Sequence, residues 1–164
     1  MNIRKLFATS AFAIASVIVN TTMPAGATPG NTQIDGVAKI DFATCTELAS
    51  PLTLRMTGAL EGCWYTTSLE VVHTTPSGGY RERGTERFIG CLTTGGSNKC
   101  GSFDTIYQFE AKYQTSPPFA EIHGRCQHPI VSGTGDFEGV TGRVDFKDDV
   151  QNGCFYYRGH IAFK

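Results

Sequence analysis

One histidine and two glutamates occur among aromatic and small residues on two neighbouring predicted strands. If these strands pair across the turn at residues 76–79, His73 lies opposite Glu82 and on the same face as Glu86. Burying a carboxylate is costly, so these groups must be paired, protonated or close to an opening. We therefore take Glu86, Glu82 and His73 as the candidate general acids or bases.

Each of these residues also has an interpretation that involves no chemistry. His73 and Glu82 would form a solvated ion pair at the rim, because opposite charges on neighbouring strands commonly meet at a wet surface. Glu86 would be a buried hydrogen-bond partner of Tyr107 or Tyr157. The sequence leaves both interpretations open.

The same alternation of residues surrounds the candidate acids with aromatic side chains. Small-molecule sites combine an apolar lining with a few polar groups that orient the ligand. We therefore expect a cavity whose partner is a small hydrophobic ligand. Its predicted lining residues are Tyr65, Phe88, Phe103, Tyr107, Phe109 and Tyr157.

Two other segments resemble binding motifs but lack the required spacing. On a strand, His123 and His128 face opposite sides and cannot chelate one metal, with Glu121 on the first side and Cys126 on the second. The glycine-rich run at 132–142 precedes a predicted strand, whereas a phosphate-binding loop precedes a helix. We expect neither a metal nor a cofactor.

Strand patterns must position these residues, since period-2 alternation recurs and no stretch keeps a helical apolar stripe for three turns. About eight antiparallel strands without a covering helix must close on themselves or stack as two sheets. We predict an all-β fold, an antiparallel closed barrel of about eight strands. The predicted strands are 36–42, 52–57, 63–75, 80–92, 101–113, 120–132, 141–148 and 154–163.

The N-terminus has the pattern of a secretory signal peptide at residues 1–27. Arg4 and Lys5 precede an apolar run of about 14 residues, shorter than the roughly 20 of a membrane-spanning helix, and a small-residue cleavage site ends at Ala27. We expect a secreted, extracellular protein without a membrane anchor. The remaining chain is a flexible lead-in at 28–35 and a single barrel domain at 36–164.

The cysteines support this compartment, because all six follow the predicted cleavage site. Cys91 and Cys100 flank a glycine-rich hairpin loop, so we predict a disulfide between them. The other four allow three pairings. Of these we favour Cys45 with Cys63 and Cys126 with Cys154.

The charge balance limits the possible partners. The net charge of the chain is -1, which is not the positive footprint of a protein that binds nucleic acid or an anionic membrane surface. The sequence contains no signal that indicates an oligomeric state.

The stretch from Ser132 to Gly142, followed by Arg143-Val-Asp-Phe-Lys147, resembles the glycine-threonine-glycine turn of the allene oxide cyclase barrel-like superfamily. This group includes plant allene oxide cyclases, dirigent proteins and bacterial secreted members. The resemblance covers mainly residues 124–164, and it implies an eight-stranded antiparallel barrel with a central cavity. No catalytic residue of the plant proteins has a recognisable match in this chain.

Three functions are therefore expected. The first is binding of a small apolar molecule in an aromatic-lined cavity. The second is a cyclase or isomerase type of enzyme, in which the barrel confines a reactive hydrophobic intermediate and Glu86 or Glu82 moves a proton. The third is an interaction protein that uses its charged outer face, composed of Glu70, Arg81, Arg83 and Arg87.

Overall fold

A computed structural model of the chain describes residues 30–94, 96 and 98–163, so the predicted signal peptide lies outside the described residues. Every strand is antiparallel to its neighbours in sequence, and the last strand pairs with the first. The predicted closed, eight-stranded barrel is confirmed. The strands are β1 (Thr32–Ile40), β2 (Thr53–Gly58), β3 (Leu60–Thr74), β4 (Gly79–Leu92), β5 (Lys99–Tyr113), β6 (Glu121–Gly135), β7 (Thr141–Asp149) and β8 (Cys154–Ala162).

The first strand begins earlier than the sequence suggested. Residues 32–35 belong to β1 and not to the predicted lead-in, because Ile34 is buried in the core and pairs with Gly159 of β8. The residues on either side of Ile34 are polar and face outward. From composition alone, the segment therefore looked like a mobile terminus. The described part of the chain contains no helix that is long and apolar enough to cross a membrane.

One half of the barrel interior, here called the closed half, is filled by phenylalanine rings. Phe103 lies 4.9 Å from Phe88 and 5.3 Å from Phe137, measured between ring centroids. Phe137 comes from the loop between β6 and β7, and its side chain is fully buried at this end of the barrel. The apolar core therefore starts at the end where β4 meets β5 and β6 meets β7, and it continues through the interior to Trp64, Tyr107 and Phe146.

At the opposite end the wall of the barrel is uneven. Strands β3 to β6 have 14 or 15 residues each, whereas β1, β2, β7 and β8 have between 6 and 9. β2 pairs with β3 only as far as Tyr65. The upper part of β3 therefore continues, with β4 to β6, as a four-stranded wall above the short strands.

The predicted register of β3 and β4 is wrong from the turn onward, because Thr74 and not Thr75 pairs with Tyr80. Two irregularities, between Val71 and His73 and between Thr66 and Ser68, shift the pairing further. His73 pairs with Arg81 and not with Glu82. Each inserted residue moves the following side chains to the other face of the sheet. As a result Trp64 faces the interior, where the uniform alternation placed Tyr65.

Two of the three favoured disulfides are present, Cys45–Cys63 and Cys91–Cys100. The pairing of Cys126 with Cys154 is wrong, and both thiols are free and buried. These cysteines lie on β6 and β8 with β7 between them, and the two strand spacings alone separate them by roughly 9–10 Å, whereas a disulfide requires Cα atoms within about 7 Å. Cys126 also faces the interior, while Cys154 shares the outer face of β8 with Tyr156.

Candidate functional site

The half of the barrel opposite the phenylalanine core, here called the open half, contains a cavity of about 250 Å³. This volume lies just below the roughly 300–1,000 Å³ of common small-molecule sites, so an occupant must be small. The top of the cavity is surrounded by the tall wall of β3 to β6. Seven aromatic side chains line it: Trp64, Tyr80, Tyr107, Phe109, Tyr113, Phe146 and Phe155.

The floor of the cavity is formed by a buried pair, Glu86 of β4 and His128 of β6. The Nε2 atom of His128 lies 2.8 Å from Glu86 Oε2, and both side chains are almost completely shielded from solvent. Glu86 also accepts hydrogen bonds from Trp64 Nε1 at 2.5 Å and Thr66 Oγ1 at 2.9 Å. Its buried carboxylate is therefore fully partnered, which explains how the fold accommodates it.

The hydrogen bonds of His128 determine where a proton must be. Its Nδ1 lies 3.0 Å from the carbonyl oxygen of Val144, which can only accept, so Nδ1 carries a hydrogen. The short contact between Nε2 and Glu86 then requires one more proton, held by either partner. The pair is an imidazolium with a carboxylate, or an imidazole with a carboxylic acid, and in both forms its net charge is zero.

Aromatic rings hold the imidazole of His128 in place. Trp64 and Phe146 meet it edge-on at 5.3 Å and 4.9 Å, and the ring of Tyr107 stacks on it at 5.8 Å. A ring enclosed in this way has few alternative rotamers. The imidazole is therefore kept in one orientation on the cavity floor, with Nε2 directed at Glu86.

A second carboxylate, Glu82, lies nearer to the mouth. It accepts hydrogen bonds from the hydroxyl groups of Tyr80, at 2.5 Å, and Tyr107, at 3.0 Å. Burial and the neighbouring Glu82 raise the pKa of both phenols, so both keep their protons and donate them to the carboxylate.

A third acidic group consists of Glu121 of β6 and Asp148 of β7. Burial, together with the adjacent Glu121, raises the pKa of Asp148 to about 7. Gly124 makes this arrangement possible, since a Cβ atom there would overlap carboxylate oxygens of both residues. Burial, and then the nearby Glu121, raise the pKa of Tyr113.

The predicted acid and base residues fall in different places. Glu86 and Glu82 both line the cavity, although Glu86 is bonded to Trp64 and His128 and not to a tyrosine. His73 does not reach the cavity, because the second irregularity in β3 turns it outward beside Arg81.

The predicted aromatic lining is also divided. Tyr107 and Phe109 line the cavity, while Phe88 and Phe103 face inward but belong to the closed half. Tyr157 faces inward too, and its hydroxyl accepts from the backbone N–H of Leu60 at 2.8 Å.

Tyr65 lies outside the barrel wall and not inside it. It is fully buried, but against the Cys45–Cys63 disulfide, beneath the segment that joins β1 to β2. A glutamate from that segment, Glu47, accepts a hydrogen bond from its hydroxyl. Its role is to hold this segment against the barrel.

Sequence reasoning missed several residues of the site. His128 could have been found, since alternation placed it on the same face as Cys126 and on the other face from His123. Glu121 was placed on the same face as His123, but an irregularity in the pairing at β6 breaks the alternation between them and lets Glu121 reach the cavity. Tyr80, Tyr113 and Asp148 had a signal, since they continue the inward alternation of Glu82, Phe109 and Phe146. Trp64 had none, because uniform alternation placed Tyr65 in the interior instead.

The charged outer face is largely neutralised by its own ion pairs. Arg81 pairs with Glu110 at 3.2 Å, Arg83 with Glu70 at 2.9 Å and Arg87 with Asp104 at 2.6 Å. A concavity of about 530 Å³ on this side includes the Arg83–Glu70 pair. Because these charged groups are already paired with one another, the outer concavity offers few free polar groups that could bind a ligand selectively.

Within the described residues, no three histidine, cysteine, aspartate or glutamate side chains are grouped so as to hold a metal ion. No protein-family model matches the chain, and no curated protein is significantly similar to it. The functional assignment therefore rests on the cavity of the open half and on the groups that line it.

Proposed function

We propose that the chain is an exported binding protein whose barrel holds a small, largely apolar molecule in the cavity of the open half. The observation that carries this proposal is the combination of seven aromatic side chains with a few buried, hydrogen-bonded polar groups around one cavity. That composition is the usual one for a small-molecule site. An eight-stranded barrel has room for one small ligand at most, which agrees with a cavity confined to one half.

Two further features support the proposal. The two disulfides indicate an oxidising environment, in line with the signal-peptide pattern of residues 1–27. Apolar side chains at the ends of the strands surround the mouth, and Phe42, Leu69 and Phe119 are about half exposed. A largely apolar ligand would meet a compatible surface on entry.

The resemblance to the allene oxide cyclase barrel-like superfamily fits the same proposal. That resemblance implies an eight-stranded antiparallel barrel with a central cavity, and the barrel described above is of this kind. We propose a distant relationship on this basis, supported by the glycine-threonine-glycine turn that precedes β7.

The test is to identify a molecule bound to the protein and to block the cavity. Native mass spectrometry of protein purified from its own host should show a co-purified small molecule. Leu69 lines the cavity and Ile106 lies on the outer face, and each is 49% exposed. Leu69→Phe should lower the occupancy of the cavity, whereas the matched Ile106→Phe should leave it unchanged.

The proposal fails if no preparation carries a molecule and no compound from a library of small aromatic compounds changes the fluorescence of Trp64. That residue is the only tryptophan in the chain and lines the cavity, so any occupant must change its surroundings. Equal loss of binding in the Leu69 and Ile106 variants would contradict the location.

The Glu86–His128 pair favours a second function, an enzyme of the cyclase or isomerase type. A proton held between two groups on the floor of an aromatic cavity can be given to, or taken from, a bound molecule. Glu82 could act in the same way nearer to the mouth. For any compound that the protein converts, Glu86→Gln should abolish turnover while binding persists. Unchanged turnover in both the Glu86→Gln and the Glu82→Gln variants would exclude a role of these residues in proton transfer.

A further inference from the structure

We propose that the occupant of the cavity is an organic cation: a protonated amine on a compact apolar or aromatic body, with its ammonium group among Glu82, Glu121 and Asp148. This inference rests on the proposed binding function and specifies the chemical class of the ligand. It follows from charge, from hydrogen-bond directions and from the positions of the aromatic rings.

The first argument is the charge of the lining. The cavity is lined by the acids Glu82, Glu86, Glu121 and Asp148, and no lysine or arginine of the described residues lines it. Glu86 is neutralised as a pair with His128, so the charges of the other three carboxyl groups remain. Even with one proton shared between Glu121 and Asp148, the part of the cavity near the mouth is negative.

The second argument is that the hydrogen-bond donors of the lining are already used. The hydroxyls of Tyr80 and Tyr107 both donate to Glu82. The indole of Trp64 donates to Glu86, as does the hydroxyl of Thr66. An anionic ligand would find none of these donors free, whereas a ligand that brings its own donors would find acceptors.

One acceptor in particular lacks a donor of its own. Oε1 of Glu121 is shielded from solvent, and among the described residues no N–H or hydroxyl group donates to it, so its only neighbour able to supply a proton is the acid Asp148. A buried carboxylate oxygen without a partner is costly, and a ligand that donates to it removes that cost. An ammonium group carries three donors and a positive charge, which matches this oxygen and the neighbouring carboxylate of Asp148.

The third argument is the aromatic cluster next to these acids. Tyr80 packs edge-on against Tyr113, with ring centroids 5.7 Å apart, and against Phe109 at 6.1 Å. Aromatic faces attract cations within about 6 Å, most strongly in sites shielded from water. Rings of this kind beside carboxylates would hold an ammonium group and the apolar body attached to it.

The experiment compares three compounds that share one ring and one chain length but differ in charge: 2-phenylethylamine, 2-phenylethanol and phenylacetate. Binding is followed at pH 8 through Trp64 fluorescence and confirmed by calorimetry. We expect the amine to bind at least about tenfold more tightly than the alcohol, and phenylacetate not to bind.

Variants locate the effect within the cavity. Glu82→Gln and Asp148→Asn keep the size of the side chain, and each should weaken binding of the amine by about tenfold while changing binding of the alcohol by less than about twofold. Glu138→Gln is the matched control, because Glu138 is an exposed acid in the loop at the closed end. It removes the same charge from the protein and should change neither affinity.

The outcomes separate this inference from the proposed function. If 2-phenylethanol binds as tightly as the amine or more tightly, the proposal that the ligand is a cation is wrong, while the proposed apolar binding site is still supported. An amine preference that survives in the double variant Glu82→Gln, Asp148→Asn also overturns it. If none of the three compounds binds, the proposal of a cationic ligand is wrong. Native mass spectrometry of protein from the host then decides whether the proposed binding function is correct.

Discussion

The closed and open halves of this barrel are built from the same eight strands but are stabilised in different ways. In the closed half, Phe88, Phe103 and Phe137 contact one another and are fully buried. In the open half, aromatic rings surround a cavity and enclose Glu86 and His128, which are held by hydrogen bonds. The comparison indicates that the closed half supplies packing stability, which allows the open half to contain a cavity and buried acids.

The largest expected effect comes from removing one ring from the closed half. Phe103→Ala should lower the free energy of unfolding by about 3–5 kcal/mol, because it leaves a cavity in a densely packed core. Phe109→Ala removes a ring of the same kind from the open half, where the side chain is only partly buried, and should cost less than about 2 kcal/mol. Urea unfolding followed by circular dichroism measures both, and equal losses would show that the two halves are equally well packed.

A somewhat smaller effect is expected from breaking the polar pair of the open half. Glu86→Leu removes the acceptor of Trp64 and Thr66 and leaves His128 without its partner, which should cost about 3 kcal/mol. The double variant with His128→Leu should recover a large part of that loss, since an apolar pair needs no hydrogen bonds. A double-mutant cycle tests this, and simple additivity of the two losses would argue against coupling between these side chains.

The smallest of the three effects depends on pH. The pKa of Asp148 rises from its ordinary value of 3.8 to about 7 in the folded protein, mainly because of burial, with Glu121, His128 and Tyr113 close by. Between these values the folded state binds more protons than the unfolded chain, so this residue makes stability fall as the pH rises from about 4 to about 7.

Asp148→Asn removes this dependence. The variant should be more stable than the original protein by about 2 kcal/mol at pH 8, where the buried aspartate is ionised, and equally stable at pH 3, where it is protonated. Thermal unfolding at the two pH values provides the measurement. Asp136→Asn, at an exposed position in the closed half, serves as the control, and a gain for Asp148→Asn that is the same at both pH values would contradict the prediction.

Much of the fold could be predicted from the sequence, because it depends on patterns that repeat. Alternation of residues with turn-forming segments between them gave eight strands, and their closure followed from the lack of any helix to cover a face. The disulfide between Cys91 and Cys100 followed from a short hairpin, whose two strands bring the cysteines opposite each other. The predicted pairing of Cys126 with Cys154 was wrong, and excluding it required knowing that the strands of these two cysteines are not neighbours.

The site was harder to predict because it depends on departures from alternation. One extra residue in β3 exchanges Trp64 with Tyr65 between the inside and the outside of the wall, and one in β6 brings Glu121 to the cavity. Such irregularities leave little trace in composition. Glu86 and Glu82 could be predicted because alternate residues of β4 face the interior without interruption. The contact between Glu86 and His128 could not, because the two residues are 42 positions apart in the sequence and lie on strands separated by β5.

The unequal lengths of the strands would set the direction of entry for a ligand of the proposed kind. With β3 to β6 standing above the short β7, β8, β1 and β2, the opening is slanted and faces sideways over the short strands. Such a ligand would cross the low rim and meet Glu82 before it reached Glu86 on the floor. The tall wall would then stop it on the far side, in a cavity of about 250 Å³ that admits only a compact molecule.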